Sequence, residues 1–381
     1  MTIRLYNQDS FLLEFDAAVT GCEEKNGQYL ITLDRTAFFP EGGGQGADHG
    51  TLDGVNVLDC HEHGGEVVHY ADGPLAVGQS VHGSVDALRR LDMMQQHSGE
   101  HIFSGIVHQL FGYDNVGFHI GSEAVTMDFS GPLTQEDIDR VEAMANAIVF
   151  KNVPVETLLP SPDELAAMTY RSKKALEGEV RIVNIPGADT CACCGTHMKY
   201  TGSVGQIKVI GWQKYKAGVR VSILCGRRAL AEENILMRQV RESSVALSCK
   251  QHEVAEAVAR LLAERDQLRY KNEQLGLRVF DMLAEQEAGR EMRMVACDVL
   301  APGAVRKAAG KLCAGARMGL VLVPREDGWN FAVSSQTEDV RPATKALCAA
   351  FGGKGGGPKD MTQGVLASGT EEEIRAAFCA L

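Results

Sequence analysis

Four residues in two short patterns have the types and spacing of a metal site. Three residues separate His97 from His101, and the same spacing joins Cys193 to His197 at the end of the run Cys-Ala-Cys-Cys-Gly-Thr-His. On a helix, residues four apart lie on one face about 6 Å from each other, so the first pair can reach a single ion. Three imidazoles and a thiolate form the ligand set of a tetrahedral site, and mixed nitrogen and sulfur donors favour zinc. We therefore expect one zinc per chain.

Two features of these patterns leave alternatives open. Cys191 and Cys194 lie in the same run, and either could replace Cys193, which is favoured because it lies four residues before a histidine. Glu100 directly precedes His101, whereas in the metalloprotease pattern His-Glu-x-x-His the glutamate follows the first histidine. The sequence therefore does not fit a metalloprotease. Four protein ligands form a closed site, which usually has a structural role. A catalytic role would require the ion to expand its coordination, lose a ligand or position the substrate.

The elements that must position these residues indicate an α+β protein. Up to about Val85, short β-like runs alternate with Gly-rich turns, as in a small barrel or sandwich. Apolar residues on a loose helical period then predict a helix over Asp86–Leu110, which carries both histidines of the first pair. A second helix is expected over 135–149, after a cap-like threonine. Further strands are predicted at 181–185, 203–210 and 219–224.

The chain changes character near residue 226. From there to about residue 287 it has no proline and is rich in Glu, Arg, Leu, Ala and Gln, which predicts helices. Ser248 and Gln251 are predicted to form a capping box that opens the longer of these helices. Apolar residues in 4-3-4-3 spacing follow a coiled-coil seam, in which Arg265 and Asn272 are the polar members. The apolar members are Val254, Val258, Leu261, Leu268, Leu275, Val279 and Met282. The seam predicts either a homodimer or a long helix packed on its own domain.

A compact α/β-like tail is expected after Gly289. It combines a buried strand at 318–323, a helix at 341–351, the Gly-rich run Gly352–Pro358 and a final helix at 371–380. The expected organisation is a β-barrel-like domain over 1–85, a zinc-binding α+β domain over 86–226, a helical coiled-coil segment over 227–289 and an α/β domain over 290–381.

Composition narrows the class of protein. The 381 residues carry 38 Lys and Arg against 50 Asp and Glu, and this net charge of −12 argues against a surface built for nonspecific nucleic-acid binding. A local basic groove would still be enough for an RNA partner. The 11 cysteines are mostly scattered, which suits reduced thiols. The chain has no apolar run of membrane length and no secretory signal at its start, so we expect a cytoplasmic protein without a membrane partner.

The motifs resemble those of the AlaX-type alanyl-tRNA editing proteins, which are relatives of the editing domain of alanyl-tRNA synthetase. Thr36–Gln45 is similar to the family's Gly-rich motif, and Arg89–His101 resembles its first zinc motif. Asp189–His197 resembles the second zinc motif, with Cys194 at a usual glycine position. The tail resembles the DHH-associated domain of the long AlaX form and of the synthetase C terminus, so the resemblance covers nearly the whole chain.

The resemblance implies a hydrolase that removes serine, and also glycine, from mischarged tRNA(Ala). An aminoacyl ester is already activated, so the site needs mainly to position a water and to stabilise charge on the carbonyl oxygen. Serine exceeds alanine by one hydroxyl, and rejecting alanine requires a polar partner for that hydroxyl. Thr36 and Gln45 are the polar residues of the Gly-rich motif that we nominate as catalytic. Gly42, Gly43 and Gly44 would bind the substrate by close backbone approach, the alternative being an ordinary turn.

Two other functions compete with editing. A noncatalytic RNA-binding protein with a structural zinc would unfold on zinc loss and would not deacylate tRNA. A metal-dependent hydrolase of a small ester or amide would have no use for the coiled coil. A complete synthetase is not expected, because the chain opens directly into the β region. Basic residues that could contact tRNA phosphates are scattered, and they are Arg171, Lys173, Lys174, Lys214, Lys216, Arg220, Arg227, Arg228, Lys354 and Lys359.

Overall fold

The computed structural model describes residues 1–172 and 180–381. Lys173 and Lys174, two of the basic residues considered for tRNA contact, lie outside the described residues. The chain divides into two compact units, Met1–Gln239 and Val240–Leu381. Both contain helices and sheets, so the α+β class predicted from the sequence is confirmed. None of the described helices combines the length and the apolar character needed to cross a bilayer.

The first unit opens with a six-stranded closed barrel. The elements of this region are β1 (Ile3–Arg4), α1 (Leu5–Gln8), β2 (Glu14–Lys25), β3 (Gln28–Leu33), β4 (Arg35–Thr36), β5 (Gly50–Leu52), β6 (Val55–His63), β7 (Glu66–Ala71) and β8 (Ser80–Val85). The barrel order is β2-β3-β7-β6-β5-β8, and β8 pairs with β2 to close it. Because side chains alternate along a strand, Phe15, Ala17 and Val19 of β2 are buried while the residues between them are exposed.

The rest of the first unit packs helices against two antiparallel sheets. Its elements are α2 (Ala87–Phe111), β9 (Asn115–Ile120), β10 (Val125–Phe129), α3 (Gln135–Lys151), β11 (Glu156–Leu158), α4 (Pro162–Ala167), β12 (Ile182–Ile185), β13 (Asp189–Ala192), β14 (Ile207–Tyr215), β15 (Gly218–Cys225) and α5 (Gly226–Ala246). The sheets have the orders β14-β15-β10-β9 and β11-β12-β13. The side chain of Asp86 accepts hydrogen bonds from the amides of Leu88 and Arg89, so it caps α2.

The second unit contains one five-stranded sheet with a core on each face. Its elements are α6 (Val254–Gln286), β16 (Met292–Ala296), α7 (Val305–Leu312), β17 (Met318–Arg325), β18 (Gly328–Ser334), α8 (Arg341–Phe351), β19 (Gly353–Gly356), β20 (Met361–Leu366) and α9 (Glu371–Cys379). The order is β16-β17-β18-β20-β19. Alternation along β17 places Leu320 and Leu322 in the core with α8 and α9, and Val321 and Val323 in the core with α7.

The segment predicted as coiled coil consists of two helices. The predicted capping box of Ser248 and Gln251 is wrong, because Ser248 adopts a left-handed conformation (φ 50°) and α6 begins at Val254. The apolar members of the seam are largely exposed along α6, with Leu261 at 53%, Leu268 at 56% and Met282 at 67%. Only Ala257, Gly276 and Phe280 of this helix are buried among the described residues. The seam is therefore not covered by the helix's own unit.

Candidate metal centre

Helix α2 carries the first pair of predicted ligands into the interior. Its predicted extent differs from the observed one by a single residue at each end. His97 and His101 lie one turn apart with ring centroids 5.2 Å from each other, and each is about 1% exposed. Burying two imidazoles is costly unless their nitrogens find partners. The rest of the site supplies those partners.

The second pair lies on the loop that follows β13. Two carbonyls of this loop, those of Cys193 and Gly195, accept hydrogen bonds of 2.9 Å from Nη1 of the buried Arg181. The carbonyl of Arg181 in turn accepts from the amide of Cys193 at 3.0 Å. Gly195 packs directly on His97, and a Cβ at this position would lie 2.2 Å from the ring. The loop can therefore approach α2 only because residue 195 has no side chain.

The structure brings the four predicted ligands together. Ligand atoms of His97, His101, Cys193 and His197 all lie within 4.8 Å of one another. The Nε2 atom of His97 lies 3.4 Å from Sγ of Cys193, close to the separation of about 3.5 Å that zinc bond lengths and a tetrahedral angle require. Nε2 of His101 and both ring nitrogens of His197 are buried without a hydrogen-bond partner among the described residues. Unpartnered nitrogens facing a sulfur donor fit a metal ion such as zinc.

The electrostatics favour the protonation state that a metal ligand needs at Cys193 and His197, and they favour the protonated ring at His101. Burial alone would raise the pKa of the Cys193 thiol, but the neighbouring His97, His197 and His101 lower it well below its usual value. Burial lowers the pKa of His197 to about 3, so its imidazole is neutral. Burial also opposes protonation of His101, but Cys193 and Asp189 raise its pKa well above the usual value. A metal entering this centre would therefore displace a proton.

A buried carboxylate holds the ring of His101. Oδ2 of Asp189 accepts a hydrogen bond of 2.8 Å from Nδ1 of His101, which leaves Nε2 directed at the centre. Arg171 clamps the same carboxylate with two hydrogen bonds, of 2.8 and 2.7 Å. A carboxylate behind a histidine ligand fixes its ring and increases its basicity. Asp189 is a member of the site whose role the sequence reasoning missed, although it opens the second zinc motif.

An amide performs the corresponding task for His97. Oε1 of Gln45 accepts from Nδ1 of His97 at 2.8 Å and from the amide of Thr196 at 3.2 Å. Its Nε2 donates to Oγ1 of Thr196 at 2.8 Å. Gln45 and Thr196 are fully buried. The Gly-rich motif is thus tied to both zinc motifs through the side chain of Gln45.

Thr36 lies inside the barrel, bonded to a buried histidine that sequence reasoning did not single out. Nδ1 of His69 lies 3.0 Å from the carbonyl of Ile31, which assigns the ring proton to that nitrogen. The Thr36 hydroxyl therefore donates to Nε2 of His69 at 2.8 Å and accepts from the amide of Phe38 at 3.1 Å. Burial lowers the pKa of His69 to about 4. The hydroxyl proton of Thr36 is therefore used in the hydrogen bond to His69, and the hydroxyl oxygen can still accept a hydrogen bond from another group.

The three glycines of the motif form a tight turn beside strand β9. Gly42 and Gln45 pair across the turn, and Gly43 and Gly44 have positive φ angles of 60° and 86°. A Cβ at Gly44 would lie 2.4 Å from the ring of Phe118, a ring that also lies 5.1 Å from that of His97. Glycine is required at Gly44 both by its backbone conformation and by this contact.

A buried ion pair fixes the same motif to α2. The Nε atom of Arg90 donates to Oδ2 of Asp48 at 3.0 Å, and Nη2 donates to the carbonyl of Ala37 at 2.6 Å. Arg90 and Asp48 are both fully buried. Asp48 also accepts from the amide of Phe39 at 2.6 Å. One guanidinium therefore holds both ends of the motif against the helix that carries His97 and His101.

Several basic residues considered for tRNA contact are used within the chain. Arg171 is bonded to Asp189 as described above, and its side chain is only 10% exposed. Arg220 donates to Asp128 at 2.6 and 2.8 Å. Arg228 donates to the carboxylate of a residue on α2 at 2.6 Å. These three guanidinium groups are thus paired with carboxylates of the chain, and their contact with tRNA phosphates stays a prediction.

The barrel, the buried imidazoles and the neighbouring thiol define the class: an α+β protein with a candidate metal centre built from three distant motifs. A family model described as the threonyl and alanyl tRNA synthetase second additional domain matches residues 180–221, which include Cys193 and His197.

Relatives match over much longer stretches. The alanyl-tRNA editing protein Aarsd1 of Rattus norvegicus is 30% identical over 275 residues, covering 68% of this chain and 67% of that protein. The alanyl-tRNA editing protein AlaX-L of Pyrococcus horikoshii is 27% identical over 402 residues, covering 99% of this chain and 98% of that protein. The alanine–tRNA ligase of Ignicoccus hospitalis is 30% identical over 98% of this chain, which spans only 42% of the ligase. The chain belongs to the AlaX-type family of alanyl-tRNA editing proteins.

Proposed function

We propose that the protein is a trans-editing hydrolase that deacylates mischarged tRNA(Ala), chiefly seryl-tRNA(Ala) and also glycyl-tRNA(Ala). The observation that carries this proposal is the convergence of His97, His101, Cys193 and His197 directly behind the Gly-rich motif. The names of the relatives AlaX-L and Aarsd1 support the same substrate class. The chain would bind one zinc through these four side chains.

The residues around the centre suit hydrolysis of an activated ester. A bound zinc would supply a Lewis acid that attracts an electron-rich group of the substrate. Gln45 contributes by orienting His97, because its Oε1 accepts from the ring of that histidine and from the amide of Thr196. Its Nε2 donates one hydrogen bond to Oγ1 of Thr196 and has a second N–H that this bond does not use. Gly42, Gly43 and Gly44 would bind the aminoacyl end of the tRNA through their backbone, and of the three it is Gly44 that packs directly against the ring of Phe118.

Thr36 is proposed to discriminate serine from alanine. Its hydroxyl oxygen can accept a hydrogen bond from the serine hydroxyl, because its own proton is given to His69. Alanine offers no such donor, so it would leave this acceptor unpaired. Thr36 is fully buried, so the substrate reaches it only when the covering side chains of the motif move aside.

The domain organisation and the dimer are also proposals. The barrel domain over 1–85 and the zinc-binding domain over 86–226 would form the pocket, with a helical segment over 227–289 and a tRNA-engaging domain over 290–381. In α6, leucine occupies three successive d positions (Leu261, Leu268 and Leu275), valine occupies the a positions 258 and 279, and Asn272 occupies an a position between them, as in parallel two-stranded coils. In a parallel homodimer Glu264 of one chain would face Arg269 of the other.

The test is release of labelled amino acid from seryl-, glycyl- and alanyl-tRNA(Ala), with bound metal quantified in the same preparation. We expect rapid release of serine, retention of alanine and one zinc per chain. Zinc binding without release from any of the three substrates would instead support the noncatalytic RNA-binding function. Thr36→Val should reduce the preference for serine over alanine by at least about tenfold while zinc content is kept. Thr36→Ser is the matched control, and unchanged selectivity in Thr36→Val would contradict the assignment.

A further inference from the structure

The three histidines of the candidate metal centre differ in what holds their rings. His101 is held by the carboxylate of Asp189 at 2.8 Å, and His97 by the amide of Gln45 at 2.8 Å. Both nitrogens of His197 are buried, and neither makes a hydrogen bond within the described part of the chain. The ring of His197 contacts the other two histidines, with centroids 4.6 Å from His97 and 4.9 Å from His101. Only packing orients it.

This difference has a consequence for metal affinity. A histidine ligand nearly always donates its second N–H to an acceptor, and loss of that partner typically lowers metal affinity about 10- to 100-fold. A carboxylate held by an arginine is the stronger acceptor, because charge-assisted hydrogen bonds exceed neutral ones. The strength of the metal bond should therefore fall from His101 through His97 to His197.

The backbone on both sides of His197 is nevertheless fixed. The amide of Thr196 donates to Gln45 at 3.2 Å, and the amide of Met198 donates to Oγ of Ser98 on α2 at 3.0 Å. The imidazole can therefore rotate away from an ion about its side-chain torsions while the loop stays in place. Because the loop does not move, the ring remains near enough to return.

We propose that His197 is the exchangeable member of the ligand set and gives up its position to a nitrogen or oxygen donor of the substrate. This inference rests on the proposed metal site, and it explains how a centre with four protein ligands can serve a hydrolase. His97, His101 and Cys193 would retain the metal throughout.

The first test compares the zinc affinity of three variants by competition with a chelator. We expect His197→Ala to bind zinc about tenfold more weakly than the parent protein, and His97→Ala and His101→Ala to lose at least about 100-fold. A loss in His197→Ala as large as that in His101→Ala would overturn the proposal. Circular dichroism of each variant checks that the chain is folded.

The second test uses Co²⁺ in place of zinc and azide as the exogenous ligand. Its first measurement is made on the parent protein alone, so it does not depend on the folding of any variant. Visible absorption of the Co²⁺-loaded parent should shift with azide, because azide replaces the imidazole of His197. In saturating azide, the parent and His197→Ala should reach the same spectrum, while His97→Ala reaches a different one. A parent spectrum that azide does not change, or that fails to converge with that of His197→Ala, contradicts the exchange.

Deacylation of seryl-tRNA(Ala) is measured in the same zinc-loaded preparations. Spectral convergence without deacylation would overturn the proposed function and leave the exchange in place. Deacylation by the parent without spectral convergence would overturn the exchange and leave the proposed function in place.

Discussion

Helix α2 in the first unit and helix α6 in the second contain 25 and 33 residues, and they depart in opposite ways from the rule that apolar side chains are buried and polar ones exposed. In α2, Gln96, His97 and Glu100 are among the polar residues with at most 1% exposure. In α6, Leu261 and Leu268 are more than half exposed. The polar groups of α2 thus find their partners inside the chain, whereas apolar side chains of α6 remain exposed, which is typical of a surface that contacts another molecule.

Hydrogen bonds explain how α2 tolerates so much buried polarity. Gln96, for example, donates to the carbonyl of Cys225 at 2.9 Å and accepts from the amide of the same residue at 2.9 Å. A buried amide without such partners would cost roughly 1–3 kcal/mol. Several of these partners come from distant parts of the first unit, such as Cys225 for Gln96 and Asp189 for His101, so α2 acquires its role only in the assembled fold. Substitutions on the two helices should therefore have different kinds of effect.

The largest effect is expected on α2. His101→Ala removes a metal ligand and leaves Asp189 and Arg171 without the imidazole they orient, so deacylation and zinc content should both fall at least about 100-fold. Leu88→Ala, at an exposed position on the same helix, is the control and should change neither. Zinc content and the rate of serine release report the result. Full zinc retention in His101→Ala would exclude this residue as a ligand.

The next effect concerns the ion pair that anchors the Gly-rich motif to α2. Asp48→Ala leaves Arg90 buried without its carboxylate, which should lower the free energy of unfolding by about 3–5 kcal/mol. Asp281→Asn disrupts the exposed pair that Asp281 forms with Lys311 in the second unit, and it should change stability little. Urea unfolding of both variants measures the difference. Equal losses of unfolding free energy in the two variants would contradict the difference expected between the buried and the exposed ion pair.

A smaller and pH-dependent effect is expected from His69. Its pKa is about 4 in the folded protein against 6.5 for an unburied histidine, so the unfolded chain binds the proton first as the pH falls. The neutral imidazole makes its full contribution to the free energy of unfolding above pH 6.5. This contribution, about 3 kcal/mol, is lost as the pH falls from 6.5 to 4.

His69→Gln tests this pH dependence because glutamine does not titrate in that range. Unfolding free energies of the parent and the variant should converge as the pH is lowered from 6.5 to 4. A difference that stays constant over this range would contradict the assigned pKa.

The smallest effect on the chain itself is expected on α6. Leu268→Glu places a charge in the proposed dimer seam, so the molar mass in solution should halve. Because Leu268 is 56% exposed, the stability of the separated chain should change by less than about 0.5 kcal/mol. Light scattering and urea unfolding give the two quantities, with Glu264→Gln as a milder control. An unchanged molar mass would exclude the seam as the dimer contact.

Local patterns predicted the parts of the fold that depend on local physics. Helix α8 has the predicted bounds Arg341–Phe351, and the helix predicted over Asp86–Leu110 differs from α2 by one residue at each end. The i, i+4 spacing of His97 and His101 was enough to place both rings on one face. The start of α6 was mispredicted because a serine followed by glutamine three residues later also occurs in turns.

Hydrogen-bond partners from distant parts of the chain could not be predicted from the spacing of residues in the sequence. The hydrogen bond from His97 to Gln45 spans 52 residues, and that from His101 to Asp189 spans 88. Gln45 was therefore nominated for catalysis without its hydrogen bonds to His97 and Thr196 being foreseen. His69, behind Thr36, carries no sequence signal at all, because its role depends on two barrel strands meeting.

The wide separation of the ligand motifs also determines when a metal can enter. His101 and Cys193 come from segments that meet only after the long-range contacts of the first unit have formed. For the proposed zinc site, metal uptake would therefore follow folding, unlike in a zinc finger, where the ion and the chain order each other. On that proposal, a cell short of zinc would accumulate a folded and inactive pool of this protein, which added ion would restore without new synthesis.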